Sequence, residues 1–164
     1  MEAVAVGWPG GALPPVEEWP LVECQGETWA VAPVYLAPVS RAEAIRIADE
    51  MGCQLPSVGL VDAIWHAADL KLNPHALMRN YRIAKDMVAY AEQRRTIERE
   101  VARLLEMQGR TTFGILAGSH KDFARTSSGR IDLYGFHDLH GRVIQPPGTS
   151  HSPDYCDYSQ GVRL

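Results

Sequence analysis

Helical periodicity is confined to the middle of this chain, and that confinement limits the fold more than any other feature. Ser40 and Glu43 form a capping box, in which each side chain bonds the other's free backbone N–H. Ala44, Ile47, Ala48 and Met51 follow as an apolar stripe at helical spacing, and Gly52 supplies a left-handed stop. A second helix is expected from Ser57 to Asp69, with Leu60, Ile64, Trp65 and Ala68 facing inward. Asn73-Pro74 is a break or a helix start. A long polar helix is expected over 81–107, with Ile83, Met87, Tyr90, Ile97, Val101 and Leu104 as its apolar positions. Its Arg82, Lys85, Arg94, Arg95 and Arg99 mix with Glu92, Glu98 and Glu100, the pattern of a solvated face.

Both ends of the chain read differently. Residues 1–27 are expected as an extended Pro/Gly-rich arm, pinned by Trp8 and Trp19. TWAVAPVYL (28–36), TTFGILAG (111–118) and RIDLYGF (130–136) read as strands, with Pro33 marking an edge or bulge. Strands before and after the helices must meet in space. The expected fold is therefore α+β: a single domain over 28–164 whose helical middle packs on a small, mostly antiparallel sheet, with a loop-rich C-terminal region.

Composition narrows the function classes. The 164 residues suffice for a core without disulfides, and 46% are hydrophobic. A net charge of −4 disfavours a nucleic-acid partner. Three widely spaced cysteines, Cys24, Cys53 and Cys156, give neither a disulfide framework nor a CxxC zinc motif. No apolar run approaches the roughly 18 residues of a membrane span, and no secretory signal is visible. The expectation is a soluble chain made in the cytosol, which lysis would release to the cell wall if its origin is a phage. Oligomeric state is not readable.

The last third holds the candidate site. His120, His137, His140 and His151 lie there among aspartates, tyrosines and Gly/Pro-rich turns, where loops on a rigid scaffold can assemble chemistry. In a zinc version, His137 and His151 supply imidazole nitrogens and Asp154 or Asp157 an oxygen. In a second version, Cys156 is a nucleophile with a histidine beside it, although alternation with Tyr155 and Asp157 favours a buried structural thiol. In a third, strand pairing brings Lys121 and Asp122 near Asp157, Tyr158 and Ser159, and the lysine serves the serine as base. The alternative to all three is a solvated polar surface.

GSHKD (118–122), YGFH (134–137), GRVIQP (141–146), His151 and DYSQGVRL (157–164) resemble a family of bacterial and phage proteins with no assigned reaction. Its pattern runs G-H-K-K-D, Y-G-W-H, G-x-P-I-Q-P, H and D-Y-S-H-G-I-R-L-V, and the resemblance extends over about 40–164. This chain departs from it at Ser119-His120, at Val143 and at Gln160, which stands where the family has a histidine. A glutamine cannot replace a histidine that ligates metal or acts as a base. The tail also resembles the S-H-G-C-I-R-L signature of L,D-transpeptidases, but lacks its histidine and its cysteine. His151 and Asp157 fall one residue short of the His-to-Asp spacing in D-Ala-D-Ala peptidases, whose motif is otherwise unmatched.

The density of titratable groups in the last third points to a hydrolase, and the resemblance alone implies bacterial peptidoglycan as its substrate, in the manner of a phage endolysin. Lys121, Asp122, Asp157, Tyr158 and Ser159 are its candidate catalytic residues, and His137 and His151 its candidate zinc ligands. The competing class is a non-enzymatic binding or accessory module of bacterial or phage origin.

Overall fold

The computed structural model describes residues 3–75 and 87–164. It is an α+β fold, as the distribution of periodicities requires. Strands β1 (Val4–Ala5), β2 (Leu21–Cys24), β3 (Glu27–Ala30) and β4 (Leu36–Ala37) precede helices α1 (Arg41–Glu50) and α2 (Val58–Ala67). Then come β5 (Leu70–Lys71), α3 (Met87–Met107), β6 (Leu116–Ala117), β7 (Lys121–Arg125), β8 (Ile131–His137), β9 (Val143–Gly148) and β10 (Gln160–Gly161).

The main sheet has the order β10-β7-β8-β9. Its β7–β8 and β8–β9 pairs are antiparallel, and β10 runs parallel to β7. Two-stranded ladders β1–β4, β2–β3 and β5–β6 surround it. The N-terminal third closes onto the last five residues. Leu36 and Val162 exchange both backbone hydrogen bonds at 2.9 Å, and Ala32 N–H donates to Leu164 O at 2.7 Å. The sheet region is thus assembled from both ends of the chain.

Three buried apolar clusters fill the layers. Leu70, Leu72, Ile97, Phe113 and Leu116 join α3 to β5 and β6. Phe123, Leu133, Ala44 and Ala48 join α1 to the main sheet, and Leu60, Ile64, Val22 and Val31 join α2 to β2 and β3. Each fully buried Leu, Ile or Phe contributes roughly 1.5–3 kcal/mol.

Helix α1 starts at the expected capping box: Ser40 Oγ accepts from Glu43 N at 3.2 Å, and Glu43 Oε2 accepts from Ser40 N at 2.7 Å. Gly52 ends it with φ +65°. Helix α2 also begins at Ser57, whose Oγ accepts from Leu60 N. The 81–107 expectation is met from Met87 onward. Its first six residues, including Arg82, Ile83 and Lys85, lie outside the described residues. Met87 itself is exposed, and the buried ridge of α3 is Ala89, Gln93, Ile97 and Val101.

Three local expectations change. Residues 3–27 of the expected arm are woven into the fold, because β1 pairs with β4 and β2 with β3. Trp19 is buried and donates from Nε1 to Pro14 O at 2.9 Å, while Trp8 meets Phe113 edge-on at 5.4 Å. The 28–36 stretch splits into β3 and β4, since Pro33 has no N–H and offers only its carbonyl, to Leu116 N. The 111–118 stretch shortens to Leu116–Ala117, because the Asp69 carboxylate takes the N–H groups of Gly114 and Ile115 before a ladder can form.

Candidate functional site

Strand β7 carries the centre of the polar region. Its neighbour β10 places Gln160 opposite Lys121 and Gly161 opposite Asp122. The pairing weighed for 121–122 with Asp157-Tyr158 falls three residues further on, at 160–161, and Lys121 N–H donates to Ser159 O at 2.8 Å. The side chains of the candidate residues fall into several groups: Asp157 with Ser159, Asp122 and His137 on either side of Gly135, and His151 on Tyr155.

Lys121 is half-buried, with Nζ above the ring of Phe136 at 5.7 Å. Burial lowers its pKa, against the opposing pull of nearby Asp157. Asp157 is buried and saturated: Oδ1 accepts from Ser159 N at 2.8 Å and Ser159 Oγ at 2.7 Å, and Oδ2 from Tyr155 O–H at 3.2 Å. The Ser159 hydroxyl thus belongs to Asp157 and not to Lys121. Tyr158 is buried against Ala89 and Tyr90. His151 stacks on Tyr155 with ring centroids 3.9 Å apart. Gln160 is enclosed, and the amide orientation that satisfies it donates to Val39 O and Tyr155 O. Burial pushes the Cys156 thiol up to about 11, so little thiolate exists at neutral pH.

Asp122 is 1% exposed. Tyr35 O–H donates to its Oδ2 at 2.5 Å, while Oδ1 has no hydrogen-bond partner. Burial pushes this carboxyl up to about 6, against the opposing effects of Arg163 and of the Tyr35 hydrogen bond. Arg163 is also 1% exposed. Its guanidinium lies 4.1 Å from the Tyr35 ring centre and donates to Ala32 O and Leu116 O, which ties three segments together.

A second constellation sits between α2 and β8. Asp62 Oδ1 accepts from Tyr134 O–H and faces His137 Nε2, both at 2.8 Å. A carboxylate only accepts, so Nε2 carries the proton and a neutral His137 keeps its lone pair on Nδ1. The His137 ring stacks on Trp65, 5.7 Å between centroids and 17° between planes. Burial, and then Asp62, raise the Tyr134 phenol well above its ordinary range. The Asp62 side chain is 43% exposed, whereas that of His137 is 6% exposed. The pair therefore links the surface to the interior.

Gly135 gives this arrangement its space. It has φ +99° beside a β-bulge, and the next residue, Phe136, is left-handed at φ 56°. A Cβ on Gly135 would stand 3.6 Å from His137 Nδ1 and 3.7 Å from Asp122 Oδ2. Two candidate residues, Asp122 and His137, thus border the same glycine from neighbouring strands.

His137 and His151 occupy different surroundings, on Trp65 and Tyr155 respectively. Among the described residues, no group of three or more His, Cys, Asp or Glu side chains could hold a metal ion. No helix among them is long and apolar enough to cross a membrane. Sequence reasoning missed Asp62 and Tyr35 as members of the polar network, while Tyr134 stood among the tyrosines of the C-terminal cluster. A signal for Asp62 existed: it is the one carboxylate on the largely apolar VGLVDAIWHA helix. No family model, curated protein or solved structure matches this chain.

Proposed function

We propose that the protein is a hydrolase in which His137 is the acid–base group and Asp62 orients it. One observation carries this reading: the 2.8 Å contact between Asp62 Oδ1 and His137 Nε2, with Tyr134 on the same oxygen. A carboxylate on one imidazole nitrogen fixes the tautomer and stabilises the imidazolium that forms when the other nitrogen takes a proton. No serine or cysteine contacts His137 among the hydrogen bonds of the described residues, so water is the nucleophile to be activated. Peptidoglycan is the proposed substrate, and its support is the sequence likeness of the tail to cell-wall enzymes. In this reading Lys121, Asp157, Tyr158 and Ser159 hold the frame, and Asp122 stands behind the base across Gly135. A zinc ion on His137 would take the Nδ1 lone pair that the acid–base role uses, since Nε2 faces Asp62, so the metal-free version is the one proposed.

The test is release of soluble fragments from purified bacterial cell walls by the full chain, with and without added zinc. Activity that falls at least a hundredfold in His137→Ala and about tenfold in Asp62→Asn supports the reading. A folded protein that releases nothing sinks it. The binding-module reading is favoured by another observation, the enclosure of Asp157, Ser159 and Gln160 in bonds within the chain. Co-sedimentation with cell walls without fragment release is its expected outcome.

A further inference from the structure

A cavity of about 270 Å³ lies between the start of α3 and the β1–β4 ladder. Val4, Val6, Ala37, Pro38, Met87 and Ala91 form its apolar walls. Two polar side chains also line it although they are almost wholly buried: His120 and Gln93, each 2% exposed. Gln93 occupies the buried ridge of α3, in line with Ala89, Ile97 and Val101, where an apolar residue would pack at less cost. Its Nε2 donates to Ser119 O at 3.3 Å, but its Oε1 has no partner. A buried amide oxygen without a donor is costly, and in a native fold it calls for an explanation. His120 is half satisfied: Nδ1 meets Ser119 Oγ at 3.1 Å, which leaves Nε2.

We propose that this cavity binds a small neutral molecule with an apolar body and one hydroxyl or amide N–H, which donates to Gln93 Oε1. The walls require the apolar body. The unpartnered acceptor requires the donor. Neutrality follows from the charges present. Arg94, the only charged side chain of the lining among the described residues, is already paired with Glu98 at 2.7 Å. His120 is held neutral, since burial and then Arg163 push it down to about 3. The volume exceeds the roughly 150 Å³ of an apolar cavity that takes up benzene, so one six-membered ring with a short substituent fits. This inference does not rest on the hydrolase reading, because the cavity contains neither Asp62 nor His137.

Benzyl alcohol and ethylbenzene are matched probes that differ in the donor. Each is titrated into the isotope-labelled full chain and followed by two-dimensional NMR. The expected result is saturable shifts of the amides of Val6, Ala37, Ala91 and His120, with benzyl alcohol binding at least tenfold tighter than ethylbenzene. Gln93→Leu should remove that preference, and Ala91→Phe should abolish binding of both. Absence of saturable shifts at these residues overturns the proposal, as does a preference that survives Gln93→Leu. If either variant does not fold, proton contacts between the benzyl ring and the Val6 and Ala37 methyls in the unaltered chain decide. Their presence supports the site and their absence overturns it.

Discussion

His120 and Asp122 sit two residues apart and both reach Tyr35, yet acid should act on them in opposite directions. Tyr35 accepts the approach of the His120 ring at 5.6 Å between centroids and donates its hydroxyl to Asp122. The folded pKa of His120 is lowered from 6.5 to about 3 by burial and then by Arg163. As pH falls below 6.5, the unfolded chain takes up a proton that the fold refuses, so stability drops. From pH 6.5 to 4 the loss is about 3 kcal/mol at 1.36 kcal/mol per pH unit. The folded pKa of Asp122 is raised from 3.8 to about 6, chiefly by burial. Between those values the fold holds a proton that the unfolded chain has released, so stability rises as pH falls through the window. The gain from pH 6 to 4 is about 2 kcal/mol. In the unaltered chain the two effects partly cancel, and single substitutions separate them. His120→Gln should make stability climb by about 3 kcal/mol relative to the unaltered chain between pH 6.5 and 4, and Asp122→Asn should make it fall by about 2 kcal/mol. Tyr35, whose phenol burial raises above its ordinary range, keeps its proton throughout that range. Urea unfolding followed by tryptophan fluorescence at pH 7, 6, 5 and 4 reads both slopes. Variants whose pH slopes match the unaltered chain would refute the reasoning.

Three further substitutions probe the frame. Arg163→Met should cost roughly 3 kcal/mol or more in urea unfolding, since Ala32 O and Leu116 O each lose a charged donor worth about 1.5–3 kcal/mol; a cost below 1 kcal/mol would show that the clamp is dispensable. Gly118→Ala places a Cβ 2.1 Å from Leu72 O at a residue with φ +84°, so β5 and β6 must separate and the melting temperature should drop by more than any surface substitution lowers it. Ser40→Ala removes the side-chain acceptor of the α1 capping box and should cost about 1 kcal/mol by the same unfolding assay, with no change in fold by circular dichroism.

Local chemistry made parts of this molecule legible in advance. Ser40 with Glu43, and Gly52 after them, delimit α1 because a cap needs only residues three apart and a glycine that tolerates positive φ. Ser57 starts α2 for the same reason. The pairing of 121–122 with the tail was one option among several that the sequence left open, and β7 pairs along its whole length with β8 as well. The roles of the side chains were not legible. Ser159 looked like a nucleophile, yet its hydroxyl closes a local turn on Asp157, a choice that depends on how the chain enters β10.

Which polar groups share a space was decided by tertiary structure alone. Asp62 and His137 lie 75 residues apart, and Tyr35 and Asp122 lie 87 apart. No periodicity links such positions; Asp62 and His137 meet because α2 and β8 bury their apolar faces against each other, with Val61 on Tyr134. The polar atoms on those elements must then find partners, since leaving them unpaired in the interior costs more than the packing can absorb. The sequence by itself determined where helices could start and stop and that both ends must supply strands. The fold determined that Asp157 and Ser159 hold each other in place while Gln160 ties to Val39 and Tyr155, and that the carboxylate oriented toward His137 comes from the helical middle.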